Sequence, residues 1–249
     1  MPRGAWSCAP AGGVQCSRPP PAALGWGPLR ARTPIAAALA AASALAIPGV
    51  ALGVVATLTS PSDPIAVASC PGSATVPCTV VSRTTAFQVK VGTVRDPMHV
   101  RAEGRIVGWE ITLSSPSAAQ TKYFDSTEGG TSRAAIAVIR NVSGLGFRLV
   151  ATSPIVHLEP FFGRTVTFAL ASTIPVVPGD EIALDVPTWA PALELRAGQR
   201  TAWRASRAAT QCANVTTETA QSVPGSVAQY ACIYRTALVA FGAVEISTP

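Results

Sequence analysis

From Thr79 onward, apolar residues recur at every second position in short runs, and each run is closed by Gly, Pro, Asn or Asp. Phe87-Gln88-Val89-Lys90-Val91 alternates and stops at Gly92. Arg105 to Leu113 comes after the turn at Glu103-Gly104. Further runs cover Gln120 to Phe124, Ala135 to Ile139, Phe147 to Val150, Ile155 to Leu158 and Thr165 to Leu170. Glu181 to Val186 opens after the turn tripeptide Pro178-Gly179-Asp180, and Gln229 to Tyr234 and Ala237 to Ile246 close the series. Period two belongs to strands, and no segment alternates with the long helical patterns that βαβ units require. The prediction is an all-β fold, an antiparallel, jelly-roll-like β-sandwich of ten or more short strands. Ala237 to Ile246 carries a single charge, Glu245, and is expected as one central strand covered on both faces. Leu195 to Arg207 places Arg196, Arg200, Arg204 and Arg207 on one helical face, but Gly198 and Thr201 are poor helix residues. That segment is read as strand or loop.

The pattern changes upstream. Residues 1–34 are rich in Pro, Gly and Ala without periodicity, and read as a disordered tail or as sequence ahead of a later start. Residues 35–58 carry no charge and come after Arg30 and Arg32. They read as the apolar region of a signal peptide, with small residues for cleavage at Ala51-Leu52-Gly53 or Ala66-Val67-Ala68, or as a single membrane anchor. Either reading exports the chain beyond residue 58. Residues 59–68 are expected as a linker and 69–249 as one β-sandwich domain.

Cysteine usage fits an exported chain. Cys70, Cys78, Cys212 and Cys232 lie in the predicted domain. Sequence proximity favours the pairs Cys70–Cys78 and Cys212–Cys232, each around a Pro-Gly turn. Zinc lacks its close Cys-x2-Cys pairs and His spacing. Val67-Ala68-Ser69-Cys70 also has the form of a lipoprotein signal, but Thr59 to Pro64, with two prolines and a charge, separates it from the apolar run.

Charge narrows the partners. The chain of 249 residues has a formal net charge of +6. Four of its Arg precede the apolar run and Asp63 lies in the expected linker, which leaves about +3 on the predicted domain, and no basic patch marks a nucleic-acid binder. No Gly-x-Ser-x-Gly elbow is present, and only His99 and His157 could act as an imidazole base. Asp125, Glu128, Asp180 and Asp185 are the carboxylates a glycan hydrolase could pair. Asp125, Glu128 and Asp180 are also the weak calcium candidates, beside Gly-containing turns that could add backbone oxygens. The aromatic residues carry the clearest binding lead. Trp189 stands between Pro187 and Pro191 and is expected in a loop or at a sheet edge. Trp203 stands among Arg200 and Arg204, and Tyr123 opens the doublet Tyr123-Phe124. An exposed Trp beside Arg is what sugar stacking or partner binding would use.

Gly108-Trp109-Glu110-Ile111-Thr112-Leu113, Pro178-Gly179-Asp180-Glu181-Ile182-Ala183-Leu184, Val186-Pro187-Thr188-Trp189-Ala190-Pro191 and Thr201-Ala202-Trp203-Arg204-Ala205-Ser206-Arg207 together give a texture across most of the domain. It resembles uncharacterised exported all-β proteins of GC-rich actinobacterial genomes. At fold level it is similar to jelly-roll modules of the carbohydrate-binding kind. The resemblance implies export and a sandwich and carries over no activity. The expectation is a secreted or cell-surface, non-enzymatic protein binding a glycan or a protein partner, with membrane contact only through residues 35–58 if they are retained. A glycan hydrolase and a structural envelope component without a small ligand are the alternatives.

Overall fold

The computed structural model describes residues 53–59, 61, 66–73, 77–213 and 217–247. In chain order the first strands are β1 Val54–Thr59, β2 Val67–Ala68, β3 Val81–Val91, β4 Val94–Arg95 and β5 Gly104–Thr112. One helix, α1 Ala118–Thr127, precedes β6 Arg133–Ser143, β7 Gly146–Thr152, β8 Val156–His157, β9 Thr165–Val176 and β10 Asp180–Ala190. The chain ends through β11 Leu193–Leu195, β12 Ala202–Ala205, β13 Val227–Gln229, β14 Cys232–Arg235, β15 Ala237–Val239 and β16 Phe241–Ser247.

Three antiparallel sheets result. The first has the order β1-β16-β5-β9. The second has the order β13-β7-β6-β10-β3-β12-β14, with β4 beside β3 and β8 beside β6. A small third sheet is ordered β15-β11-β2. Period two decides what meets what. Trp109 and Ile111 of β5 share one core with Ile136 and Val138 of β6 and with Ile182, Leu184 and Val186 of β10. The first two sheets therefore face one another, as a β-sandwich requires. The alternate residues Ala137, Ile139 and Ala183 point to the other side of the second sheet and meet Phe87, Phe147, Leu149 and Tyr230. Covering on both faces explains why the first half of β6, Ala134 to Ile139, is a continuous apolar run with no polar member.

Three sequence expectations change. Gln120–Phe124 is part of α1, not a strand: Ser117 caps the helix through Gln120 N, and the Gln120 side chain accepts from Ser117 N at 2.8 Å, a reciprocal capping box. Ala237–Ile246 is two strands. The chain leaves the small sheet after Val239 and enters the first sheet at Phe241, so one apolar run serves two sheets. The fold also starts upstream of residue 69. Val54 to Leu58, the end of the run expected as signal or anchor, lies in β1, which pairs with β16 from Val54↔Ser247 to Thr59↔Gly242. Val67–Ala68, expected as linker, pairs with β11. The expectations for residues 1–34 and for 35–52 lie outside the described residues. Among the described residues, no helix is long and apolar enough to cross a membrane.

Both expected disulfides are present, Cys70–Cys78 and Cys212–Cys232. Cys70 is therefore committed to Cys78 and not open to a lipid.

Candidate binding site

Trp203 and Tyr234 are direct cross-strand partners of β12 and β14, so their rings lie on one face of the sheet. They stack, with centroids 4.4 Å apart and planes at 25°. After β12 the chain turns at Ser206, whose N–H donates to Thr85 O. Ala231 N–H donates to Arg207 O, which pins Arg207 beside this pair. Arg207 is buried, at 3% exposure. Its Nη1 donates to Tyr234 Oη at 2.9 Å and its Nη2 to Ser82 O at 2.7 Å. Tyr234 Oη in turn donates to Cys212 O at 2.7 Å.

These residues line a cavity of about 160 Å³, completed by Thr79, Val80, Val81, Ser82 and Leu193. Thr79 is exposed, and Val80 and Tyr234 are half-buried, so they form the rim; Val81, Ser82, Leu193, Trp203 and Arg207 are buried and form the interior. Among the described residues, two buried N–H groups of the lining residues have no acceptor, Trp203 Nε1 and Arg207 Nε, and both nitrogens are themselves closed off from solvent. The described ion pairs are Arg83–Glu128, His99–Glu181 and Arg140–Asp180, and Arg207 belongs to none of them. A buried cation without a counter-charge, beside a second unpaired donor, is costly unless something compensates it. Both disulfides brace the walls. Cys78 immediately precedes the lining run Thr79–Ser82, and Cys232 lies two residues before Tyr234.

A larger groove, about 580 Å³, lies along β5, the end of β9 and β16, among Val107, Pro175, Val177 and Ile246. Its Arg105 is already bonded to Thr173, and none of its lining residues has a buried polar atom without a partner. It is the roomier space, but nothing in its lining calls for a ligand, so the smaller cavity is the candidate site.

Trp189 is not in a loop, nor at an edge. It is fully buried in β10, which lies between β6 and β3. Its Nε1 donates to Asp125 Oδ1 at 3.0 Å and to Gly130 O at 3.1 Å, and its ring packs on Phe124 and Phe162. The bulge between Val186 and Trp189 absorbs Pro187, whose missing N–H would otherwise break the ladder. A ring without an exposed face has nothing to offer a sugar. Tyr123 is 60% exposed on α1, and Arg200 is exposed in the turn before β12; neither lines the cavity. Arg204 points away from Trp203 by strand alternation, and its Nη1 donates to Tyr230 O at 2.8 Å. Burial and the nearby Arg235 hold its pKa down. Of the five predicted ligand residues, the structure brings only Trp203 to the site.

The candidate acidic residues are scattered. Asp125 accepts from Trp189, and Glu128 lies 3.6 Å from Arg83 Nε. Asp180 is gripped by both ends of the Arg140 fork, at 2.6 and 3.0 Å. Asp185 accepts from Thr85 and Ser222. Asp180 and Asp185 are an odd number of residues apart on a regularly paired stretch of β10, which sends them to opposite faces. Among the described residues, no group of three His, Cys, Asp or Glu could hold a metal ion. His99 sits 2.7 Å from Glu181, whose pKa is raised by burial against the pull of the imidazole.

The sequence singled out Trp203 but missed Arg207, Tyr234 and Ser82. Trp203 and Tyr234 both lie in runs readable as strand, so a shared ladder was within reach; their register was not. Arg207 gave no signal, because an Arg at a strand end is ordinarily solvated. No family model, curated protein or solved structure matches this chain.

Proposed function

We propose that this chain is an exported, non-enzymatic β-sandwich protein that binds a glycan at or outside the cell surface, through the cavity of Trp203, Arg207 and Tyr234. One observation carries this reading: the stacked Trp203 and Tyr234 rings and the buried Arg207, which belongs to none of the described ion pairs, line a cavity with a solvent-exposed rim. Two disulfides suit an oxidising compartment, and the charge-free run ahead of the fold suits export. The four carboxylates that hydrolysis would draw on are each held by another protein group, which favours binding over catalysis. A protein partner would need a face of roughly 800 Å². The feature that asks for a ligand here is a small cavity suited to one end group.

The test is an NMR titration of the 15N-labelled protein with a panel of neutral and acidic sugars. Binding here moves the Trp203 indole N–H and the backbone signals of Val80 to Ser82, Arg207 and Tyr234. A panel that leaves all of these unmoved, or that moves only the groove around Arg105, overturns the assignment.

A further inference from the structure

The strands that hold Trp203 and Tyr234 at the cavity present a different chemistry on their other face. Cross-strand partners share a face. One row of them runs Arg95↔Lys90↔Ala202↔Arg235 across β4, β3, β12 and β14. A register shift puts Lys90 there. Trp203 pairs with Gln88 but Ala202 pairs with Lys90, so Val89 is the extra residue of a bulge and Lys90 joins Phe87 and Val89 on one side. Val91 then faces the other way and packs with Leu238. Arg204, two residues from Ala202, lies on the same side as the row and in electrostatic reach of Arg235. Arg95 and Arg235 are exposed and Lys90 and Arg204 half-buried, so all four keep surface open to solvent. None of them belongs to a described ion pair. Asp96, the acid next to the row in sequence, is in electrostatic contact with Glu181 of β10. Lys90 and Arg95 stand directly opposite one another, and like charges so placed repel. An anion laid across the row removes that repulsion.

We propose that this face binds a linear acidic polysaccharide, with its carboxylates along the row of Arg95, Lys90 and Arg235. The inference goes beyond the cavity, whose Trp203 and Tyr234 lie on the opposite face of β12 and β14, and does not depend on it. Length selects a polymer. The row crosses three strand spacings, about 14 Å, which is farther than one small anion bridges. The surroundings select a glycan among polyanions. The rings on this face, Phe87, Phe147 and Tyr230, are buried, so unpaired bases find no exposed ring here to stack on. Ile233 is exposed opposite Arg204, but one isoleucine gives a membrane little to hold.

The probe is polygalacturonate, compared with the galacturonate monomer and with neutral dextran. Calorimetry reads the affinities, and spectra of the 15N-labelled protein locate the contact. Polygalacturonate is expected to move the signals of Lys90, Arg95, Arg204 and Arg235. Its affinity should fall roughly tenfold between about 50 mM and about 200 mM salt. The monomer, which engages one cation at a time, should bind roughly tenfold more weakly or less. Arg95→Gln with Arg235→Gln removes both ends of the row from exposed positions, and should cost roughly tenfold in affinity for the polymer. Arg148→Gln with Arg164→Gln removes the same charge from exposed positions off the row, and should leave the affinity nearly unchanged. Equal losses in the two double variants would mean that net charge, not the row, attracts the polymer. Monomer binding as tightly as polymer overturns the linear ligand. Single-stranded DNA, or vesicles of phosphatidylglycerol and phosphatidylcholine, binding more tightly than polygalacturonate overturns the glycan. Shifts confined to the Trp203 indole and Val80 to Ser82 support the cavity and sink this row alone.

Discussion

Asp185 and Arg207 both carry charge into the interior, and they are held differently. Arg207 lines a cavity; Asp185 lies at the centre of a filled hydrogen-bond network. Its Oδ1 accepts from Thr85 Oγ1 at 3.1 Å and its Oδ2 from Ser222 Oγ at 2.8 Å. Thr85 Oγ1 then accepts from Gln221 N, and Gln221 Oε1 from Tyr230 Oη. Burial raises the Asp185 pKa, and the two hydroxyl donors oppose the rise without cancelling it. The folded protein therefore holds this proton more tightly than the unfolded chain does. The stabilisation from that difference is complete below about pH 4, the unfolded value for Asp, and is lost as pH rises through the folded value. Asp185→Asn cannot ionise. The urea midpoint of wild type relative to Asp185→Asn should fall as pH rises above about 4, while Glu181 and Glu245, also raised by burial, are common to both proteins and cancel. Parallel curves would mean that Asp185 titrates normally. None of this was legible at single residues. Flanking prolines placed Trp189 outside the core, because a proline's missing N–H is a local fact and the bulge that absorbs it is set by the neighbouring strands.

At the scale of elements, legibility tracked how local the cause was. The capping box of α1 is written in four residues, Ser117 to Gln120, and was there to be read. The double Gly turn that ends the helix, with Gly129 and Gly130 both at positive φ, was visible too. The split of Ala237–Ile246 was not, because both halves are apolar and only their partners, β11 and β5, differ. The disulfides fall between these cases. Spacing paired them correctly, but their place beside the cavity depends on β12 and β14 lying in register. Cys212–Cys232 closes a segment of sequence separation 20. Replacing both cysteines by alanine should destabilise the fold by about 3 kcal/mol in the chain-entropy treatment. Denaturant unfolding measures this. The same substitution frees Cys212, whose carbonyl anchors Tyr234. The near-UV circular dichroism of the stacked Trp203–Tyr234 pair should weaken even under conditions where the far-UV signal is intact. An unchanged near-UV band would show that β14 alone positions Tyr234.

For the whole molecule, period two and turn spacing were enough for a sandwich, since both are repeated in every strand. Where the sandwich begins was not legible. Val54 to Leu58 is as apolar and charge-free as the run before it, and its partner is nearly two hundred residues away at the other end of the chain. Only a paired β16 distinguishes an edge strand from the end of a signal. This bears on the two cleavage positions. A cut after Ala68 would discard β1 and β2, open the edge of β16 and remove Leu58, which packs against the main core. A cut after Gly53 would leave every described strand intact. Under the proposed export, the mature chain is therefore expected to begin at or before Val54, which N-terminal sequencing reads directly. A chain starting at Ser69 should unfold at a temperature lower by roughly 5 °C or more than one starting at Val54, since each kcal/mol is worth about 2–4 °C at this size. Equal unfolding temperatures, together with an exported chain beginning at Ser69, would show that β1 adds nothing to the fold and that the sandwich closes without its first edge.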